Sequence, residues 1–428
     1  MSAPSTNSLR RLVIPLGVVV LIALPGIILR LLGADISPLL GMLAFGAAIV
    51  AAAFALAWAG EAAEVDISGG LTVGLLAIIA ILPEYAVDLY FAFTAGSDPS
   101  QAAYAAANMT GSNRLLLGFG WPVILLVSYL AYRAAQKRNA TLDIDIESRP
   151  FAIRLPGDGR VELGLLLIAS TLTLIIPLTG QIHVFLGVIL LLIFTYYLYR
   201  VSQGETEEPD LVGVARSIGT LETRSRRATI LLIFILSAAV ILLLAESFAT
   251  SLVEGGQALG IDDFLLVQWL APLASEAPEF VIAIIFALRG KSAMAIGMLL
   301  ASKVNQWTAL VGSLPIAHLV GGGGWALPMD ARQVEEFVLT AAQTVLGISI
   351  LLTLRFSGRW AAGLFVLFAV TFIVTGQEAR YAVSALYAVI ALVLCVRHRR
   401  HLWPTVSAPF RFPARKVTDP PEGVNVHR

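Results

Sequence analysis

Cysteine is nearly absent from this chain. Cys395 stands alone among 428 residues, which excludes an intramolecular disulfide or a thiolate metal cluster and leaves oxygen as the ligand for any bound cation. Charge is scarce too: 14% of residues are Asp, Glu, Lys or Arg, against roughly 25% in soluble domains. The charges present cancel, 29 basic against 29 acidic, so no global field argues for a nucleic-acid partner. Alternating strands of about ten residues are missing, which excludes an outer-membrane barrel. No catalytic triad, Walker loop, H-E-x-x-H or dinucleotide fingerprint stands out, so the chain reads as a non-enzyme without a cofactor. The tetraglycine at 321–324 has neither a lysine nor a preceding strand and reads as a linker.

What fills the chain is apolar sequence. Hydrophobic residues make up 57% of it and runs of about twenty recur along most of its length, the mark of an all-α polytopic membrane protein. About twelve spans are expected: 12–32, 38–58, 71–94, 101–134, 161–178, 183–199, 228–250, two within 270–318, then 334–354, 360–374 and 381–396. Arg10 and Arg11 precede the first run, but its length and the lack of a small-x-small site read as a retained helix rather than a signal peptide. The GFGWP of the fourth span predicts a break or kink. Between Ala135 and Arg160, alternation and a PGDG turn predict a small hairpin outside the membrane. By organisation, 1–37 is a tail and an extra helix and 38–200 a first repeat with a cytoplasmic loop at 135–160. A cytoplasmic linker at 201–227 leads to a second repeat at 228–376, and 377–428 is a last helix and a disordered tail. Arginine and lysine concentrate in alternate loops and in the tail, which places both termini in the cytoplasm of a plasma-membrane protein.

The stretch from Leu270 to His318 organises the rest. Two apolar helices joined by an Arg-Gly-Lys turn carry Ser275-Glu276-Ala277-Pro278-Glu279 and Ser302-Lys303-Val304-Asn305-Gln306. Ionisable residues inside such spans are costly unless they face a partner or a cavity, so they are candidate site residues. A fainter copy runs from Leu71 to Val123, with Pro83-Glu84 and Asn108-Met109-Thr110-Gly111-Ser112-Asn113. In the expected topology the two copies enter from opposite sides, an inverted repeat with its site at the midplane. Proline before glutamate frees a backbone carbonyl one turn earlier, and a carboxylate beside freed carbonyls is a hard-oxygen site for Na⁺, Ca²⁺ or H⁺. Asp88 shares a helical face with Glu84 and either lines the same cavity or faces the outer mouth. Asn108 and Ser112, like Ser302 and Gln306, are spaced i,i+4 and serve as ligands or as packing. Lys303 either pairs with Glu276 or Glu279 or takes part in charge coupling. Arg114 balances Asp88 or points away. His183 and His318 read as interfacial residues.

At these residues the chain resembles the cation/calcium exchanger superfamily, which includes sodium/calcium exchangers. That family pairs G-T-S-x-P-E with G-N-x-x-G-S-N-x-x-N in each of two repeats; the resemblance covers about 51–130 and 244–318. It implies two inverted sets of five helices, here spans two to six and seven to eleven. Carried over, it makes Glu84 and Glu279 metal-ligating acids and Ser112 and Ser302 the serines of the second motif. Asn113 keeps the asparagine of that motif; Ser275, Glu276 and Gln306 stand where the pattern departs and are further candidate ligands. Departures are Ala80 and Ile81 before the first Pro-Glu, Glu276 before the second, Leu116 at one closing position and Lys303 in place of asparagine. The expected function is secondary active cation antiport by alternating access, with inorganic cations and the bilayer as partners. Proton coupling competes with sodium/calcium exchange. A membrane scaffold that has lost its site is the alternative, and an intramembrane enzyme is disfavoured.

Overall fold

In a bilayer every backbone donor and acceptor must be satisfied within its own segment, so apolar runs become helices. The structure, a computed structural model, is described for residues 6–66, 82–137, 146–148, 151–203, 211–374 and 376–411. Among the described residues the long helices follow in order: α1 (Thr6–Leu32), α2 (Pro38–Ala63), α3 (Leu82–Thr94) and α4 (Ala102–Leu115, a π-turn at Leu116–Gly120, then Trp121–Lys137). Then come α5 (Arg160–Leu172), α6 (Val184–Val201), α7 (Thr223–Leu259) and α8 (Asp263–Leu288). The last four are α9 (Ser292–Asn305, a π-turn at Gln306–Leu310, then Val311–Val320), α10 (Ala331–Leu351), α11 (Gly358–Ile373) and α12 (Gln377–Arg397). A surface helix, α13 (Arg399–Ser407), closes the described chain. Among the described residues nine segments are long and apolar enough to cross a membrane, and α11 is a shorter apolar helix. The first half of the expected third span, 71–81 with Ala80 and Ile81, lies outside the described residues.

Local chemistry sets the boundaries. Ser37 caps α2, accepting from Leu40 N at 3.4 Å, with Pro38 in the first turn where its missing donor costs nothing. Asp330 and Gln333 form a reciprocal capping box at the start of α10. Gly290, at φ +86°, makes the turn between α8 and α9 that a residue with a Cβ resists.

The packing is reciprocal between halves. α2 lies along α7, and α5 meets α10. α3 packs on α9 while α4 packs on α8; α6 packs on α9 while α11 packs on α4. Two small sheets repeat the pattern. β1 (Ile146–Ser148) and β2 (Phe151–Arg154) form the hairpin expected before α5, and β2 also pairs antiparallel with β5 (Arg355–Ser357), before α11. β3 (Gln181–His183), before α6, pairs antiparallel with β4 (Ala326–Pro328), before α10. Each sheet holds two loops on one side of the bundle, so an even number of crossings separates them, as the expected spans require. Reciprocity of this kind is the arrangement expected of two like units facing each other across a two-fold axis.

Three expectations change. The tail is ordered through Arg411, because α13 docks on α5. The tetraglycine leads into β4 rather than standing as a bare link. His318 is buried against the Ala92 carbonyl instead of interfacial.

Candidate functional site

α3, α4, α8 and α9 meet in the middle of the bundle, and each brings polar side chains inward. Glu84, in the first described turn of α3, is 5% exposed; Asp88, one turn on, is fully buried. Asn108 Nδ2 of α4 donates to Asp88 Oδ1 at 2.8 Å. On α8, Glu276 Oε1 accepts from Gln306 Nε2 of α9 at 2.6 Å. Glu279 lies beside Glu276 and Ser302, and Glu84 lies beside Ser112 and Gln306. Two carboxyls from each half therefore converge with amides and hydroxyls from the facing helices.

The backbone explains the approach. Pro272 and Pro278 interrupt α8, removing two donors and freeing the Gln268 and Ala274 carbonyls. The Gln268 carbonyl lies so close to Gly111 of α4 that a Cβ there would overlap it, so glycine is what lets these two helices touch. The π-turns of α4 and α9 begin at Leu116 and Gln306, 190 residues apart, the same offset that relates Ala102 to Ser292 and Ser112 to Ser302. Such turns widen a helix where side chains must be redirected, and they recur at functional positions. GFGWP announced the first; the second has no glycine or proline to signal it.

Among the described residues, seven oxygens here are buried with no donor: Glu84 Oε1, Asp88 Oδ2, Asn108 Oδ1, Ser112 Oγ, Glu276 Oε2, Glu279 Oε2 and Gln306 Oε1. A buried acceptor left unpaired costs about 1–3 kcal/mol, more when charged. Acceptors concentrated in one place call for a positive charge, a metal cation or protons. Among the described residues no three Asp, Glu, His or Cys groups stand close enough to hold a metal ion by themselves. Any coordination shell here would therefore need neutral oxygens as well as carboxylates.

Other expected site residues are placed differently. Ser275 Oγ donates to its own helix, to the Ala271 and Pro272 carbonyls at 3.2 and 3.3 Å. Asn113 is fully engaged: Nδ2 donates to Met109 O at 3.0 Å, while Lys303 Nζ donates to its backbone carbonyl at 2.9 Å and to Oδ1 at 3.2 Å. Lys303, 1% exposed, thus bridges α9 to α4 and pairs with neither Glu276 nor Glu279. Arg114 does not balance Asp88. It donates to Glu336 of α10 at 2.5 Å and to Thr371 of α11 at 2.6 Å, and lies 5.0 Å over the Trp269 ring. Arg380 of α12 reaches the same Glu336 and, at 3.4 Å, Glu335. Sequence reasoning passed over Glu336, although a carboxylate inside an apolar span was the available signal. It also passed over Tyr85, whose hydroxyl donates to Asn305 Oδ1 at 3.0 Å between α3 and α9. Outside the spans, Arg226 holds Asp66 with bonds of 2.6 and 2.7 Å and keeps its carboxyl below the ordinary aspartate range, joining the ends of α2 and α7.

A family model described as sodium/calcium exchanger protein matches the chain in two stretches, residues 37–203 and 229–394. The chain belongs to this family. The two matched stretches run from α2 through α6 and from α7 into α12. A crystal structure of the H⁺/Ca²⁺ exchanger CAX is 35% identical, covering 93% of this chain and 97% of that one at a TM-score of 0.85. Native YfkE is 17% identical over 83% of this chain and 98% of its own, at a TM-score of 0.56, and shares the fold. No curated protein sequence matches.

Proposed function

We propose that this protein is a secondary active antiporter that exchanges Ca²⁺ for H⁺ at the group formed by Glu84, Glu276 and Glu279. The observation that carries the reading is the set of seven buried oxygens without donors. Ca²⁺ takes six to eight oxygen ligands at flexible geometry. Carboxylates of Glu84 and Glu279 supply the charge, Glu276 a third acid, and Ser112, Ser302 and Gln306 neutral oxygens. When the metal leaves, carboxylates facing each other in a low-dielectric interior cannot remain bare, so protons replace it and are expelled when it returns. Metal and protons thus compete for the same lone pairs, which is the coupling an antiporter needs.

Protons are favoured over Na⁺ as the counter-ion for a local reason. The equivalent positions opening the two π-turns hold Gln306 on one side and Leu116, fully buried and apolar, on the other. One half of the site therefore lacks a neutral oxygen that a second metal ion would use. The 35% identity to an H⁺/Ca²⁺ exchanger supports the same choice. The two halves form inverted repeats in this reading, with both termini cytoplasmic and the membrane the plasma membrane. Alternating access follows from rocking one half against the other. Half-burial of Glu279 and Ser302, against complete burial of Asp88 and Asn108, supports a state reached from the α8–α9 turn.

Equilibrium binding of radioactive Ca²⁺ to the purified protein tests the site. Glu84→Gln and Glu279→Gln should each lose binding by orders of magnitude while remaining folded, and lowering pH should displace Ca²⁺ from the wild type. Wild-type affinity in both variants would reject the site, and the scaffold alternative would stand if the unaltered protein bound no cation.

A further inference from the structure

The element that the exchange reading leaves unused is α13 with the turn on either side of it. It is docked firmly. Arg160 Nη1 of α5 donates to Thr405 Oγ1 at 2.8 Å and to the Leu352 carbonyl at 3.2 Å. Tyr196 and Arg200 of α6 donate to the Pro409 carbonyl at 2.8 and 2.6 Å, and Arg200 also reaches the Arg411 carbonyl at 2.8 Å. Thr405 and Pro409 are buried by this contact, and the backbone of Thr405 lies against Gly164, where a Cβ would not fit.

Docking fixes what faces outward. Arg397, Arg399, Arg400 and Arg411 are exposed, and among the described residues no salt bridge engages any of them. Trp403, 70% exposed, and Phe410, 61% exposed, stand with them. The depth of this surface is set by α12, whose lipid-facing stripe runs from Leu386 through Leu392 to Val396. At 1.5 Å per residue the 21 residues of α12 span about 30 Å, the thickness of the hydrocarbon core. The arginines begin where it ends, at headgroup depth, and an exposed tryptophan belongs at the same level.

We propose that this surface is a docking site for anionic phospholipid headgroups, with the arginines holding phosphate and Trp403 and Phe410 entering the interface. The occupant is a lipid rather than a soluble anion, because the basic patch is continuous with the apolar stripe that an acyl chain would cover. Bound lipid would brace α12 and α13 against α5, α6 and the end of α10. The claim does not depend on which ion the protein carries.

The test uses the full chain in neutral detergent, titrated with phosphatidylglycerol or phosphatidylcholine and followed by native mass spectrometry and by thermal unfolding. Phosphatidylglycerol should bind and raise the unfolding temperature; phosphatidylcholine should do neither. Near a membrane surface each arginine contributes on the order of 1 kcal/mol, so Arg397→Gln/Arg399→Gln/Arg400→Gln should bind phosphatidylglycerol on the order of a hundredfold more weakly. It should keep its unfolding temperature without lipid, since no salt bridge is lost. Should the triple variant fail to fold, Arg399→Gln alone should weaken binding roughly fivefold. Inorganic phosphate at the same concentration should give no stabilisation. Equal response to both lipids, unchanged binding in the folded variants, or equal stabilisation by inorganic phosphate would each overturn the proposal.

Discussion

Glu336 is the carboxylate on which two arginines converge, and its loss has a consequence that can be worked out. Its side chain and that of Arg114 are fully buried, and the guanidinium of Arg380 is nearly so. In Glu336→Gln the shape survives but the charge does not. Arg114 then keeps Thr371, the Trp269 face and the amide oxygen of the new side chain, with the Glu335 charge farther off, to replace the hydration it has given up. Arg380 fares better, because Glu335 remains 3.4 Å away. Breaking a buried pair by removing one partner costs about 3–5 kcal/mol, most of it the uncompensated charge left behind. Glu336→Gln should therefore unfold in detergent at a markedly lower temperature, whereas Glu335→Gln should cost clearly less because Arg380 keeps Glu336. The companion variant Glu336→Gln/Arg114→Met removes the orphaned charge and should recover most of the loss, since apolar replacement of a buried pair is often neutral or better. Unfolding of Glu336→Gln at the wild-type temperature, or a double variant weaker than the sum of its parts, would refute the reasoning.

Three further outcomes follow from the same structure. Lys303→Asn removes a buried positive charge one residue from Ser302 and leaves an amide facing Asn113; Ca²⁺ should bind severalfold more tightly to the folded variant, and unchanged affinity would remove Lys303 from the mechanism. Single cysteines at Ser97 and Arg289, both exposed, in a background with Cys395 replaced, should label from opposite faces of the membrane, and labelling from one face would reject the inverted topology. Asp66 is held below its ordinary pKa of 3.8 by Arg226, so its stabilisation is complete above that pH and is lost as pH falls further; the unfolding temperature should drop more steeply in acid for the wild type than for Asp66→Asn, and parallel curves would show that the pair contributes nothing.

Much of this was legible in the sequence, for identifiable reasons. Helices in a bilayer must run for about twenty apolar residues, so the spans stand out as hydropathy. Acids in those spans are rare enough that Glu84, Glu276 and Glu279 announce themselves. The alternation around Ile146 and Phe151 and the PGDG turn gave away the hairpin. What sequence does not encode is which polar groups meet across helices distant in the chain. Arg114 and Glu336 are 222 residues apart, and Lys303 and Asn113 are 190 apart. Nothing local distinguishes a lysine that pairs with the nearby Glu279 from one that reaches a backbone carbonyl on another helix. The ordering of α13 was hidden for the same reason, because an Arg- and His-rich tail becomes structured only through Arg160 and Arg200, far upstream.

The central claim is that Ca²⁺ and protons compete for one group of buried oxygens. Proteoliposomes containing a pH-sensitive dye, with a Ca²⁺ gradient imposed and the membrane potential clamped, measure this directly. The account predicts that Ca²⁺ moving down its gradient drives protons the opposite way in the absence of Na⁺. It also predicts that an imposed pH gradient drives Ca²⁺ uptake, and that Glu84→Gln and Glu279→Gln abolish both fluxes. Ca²⁺ movement that requires Na⁺ and leaves pH untouched, or coupled flux that persists in both variants, would contradict it.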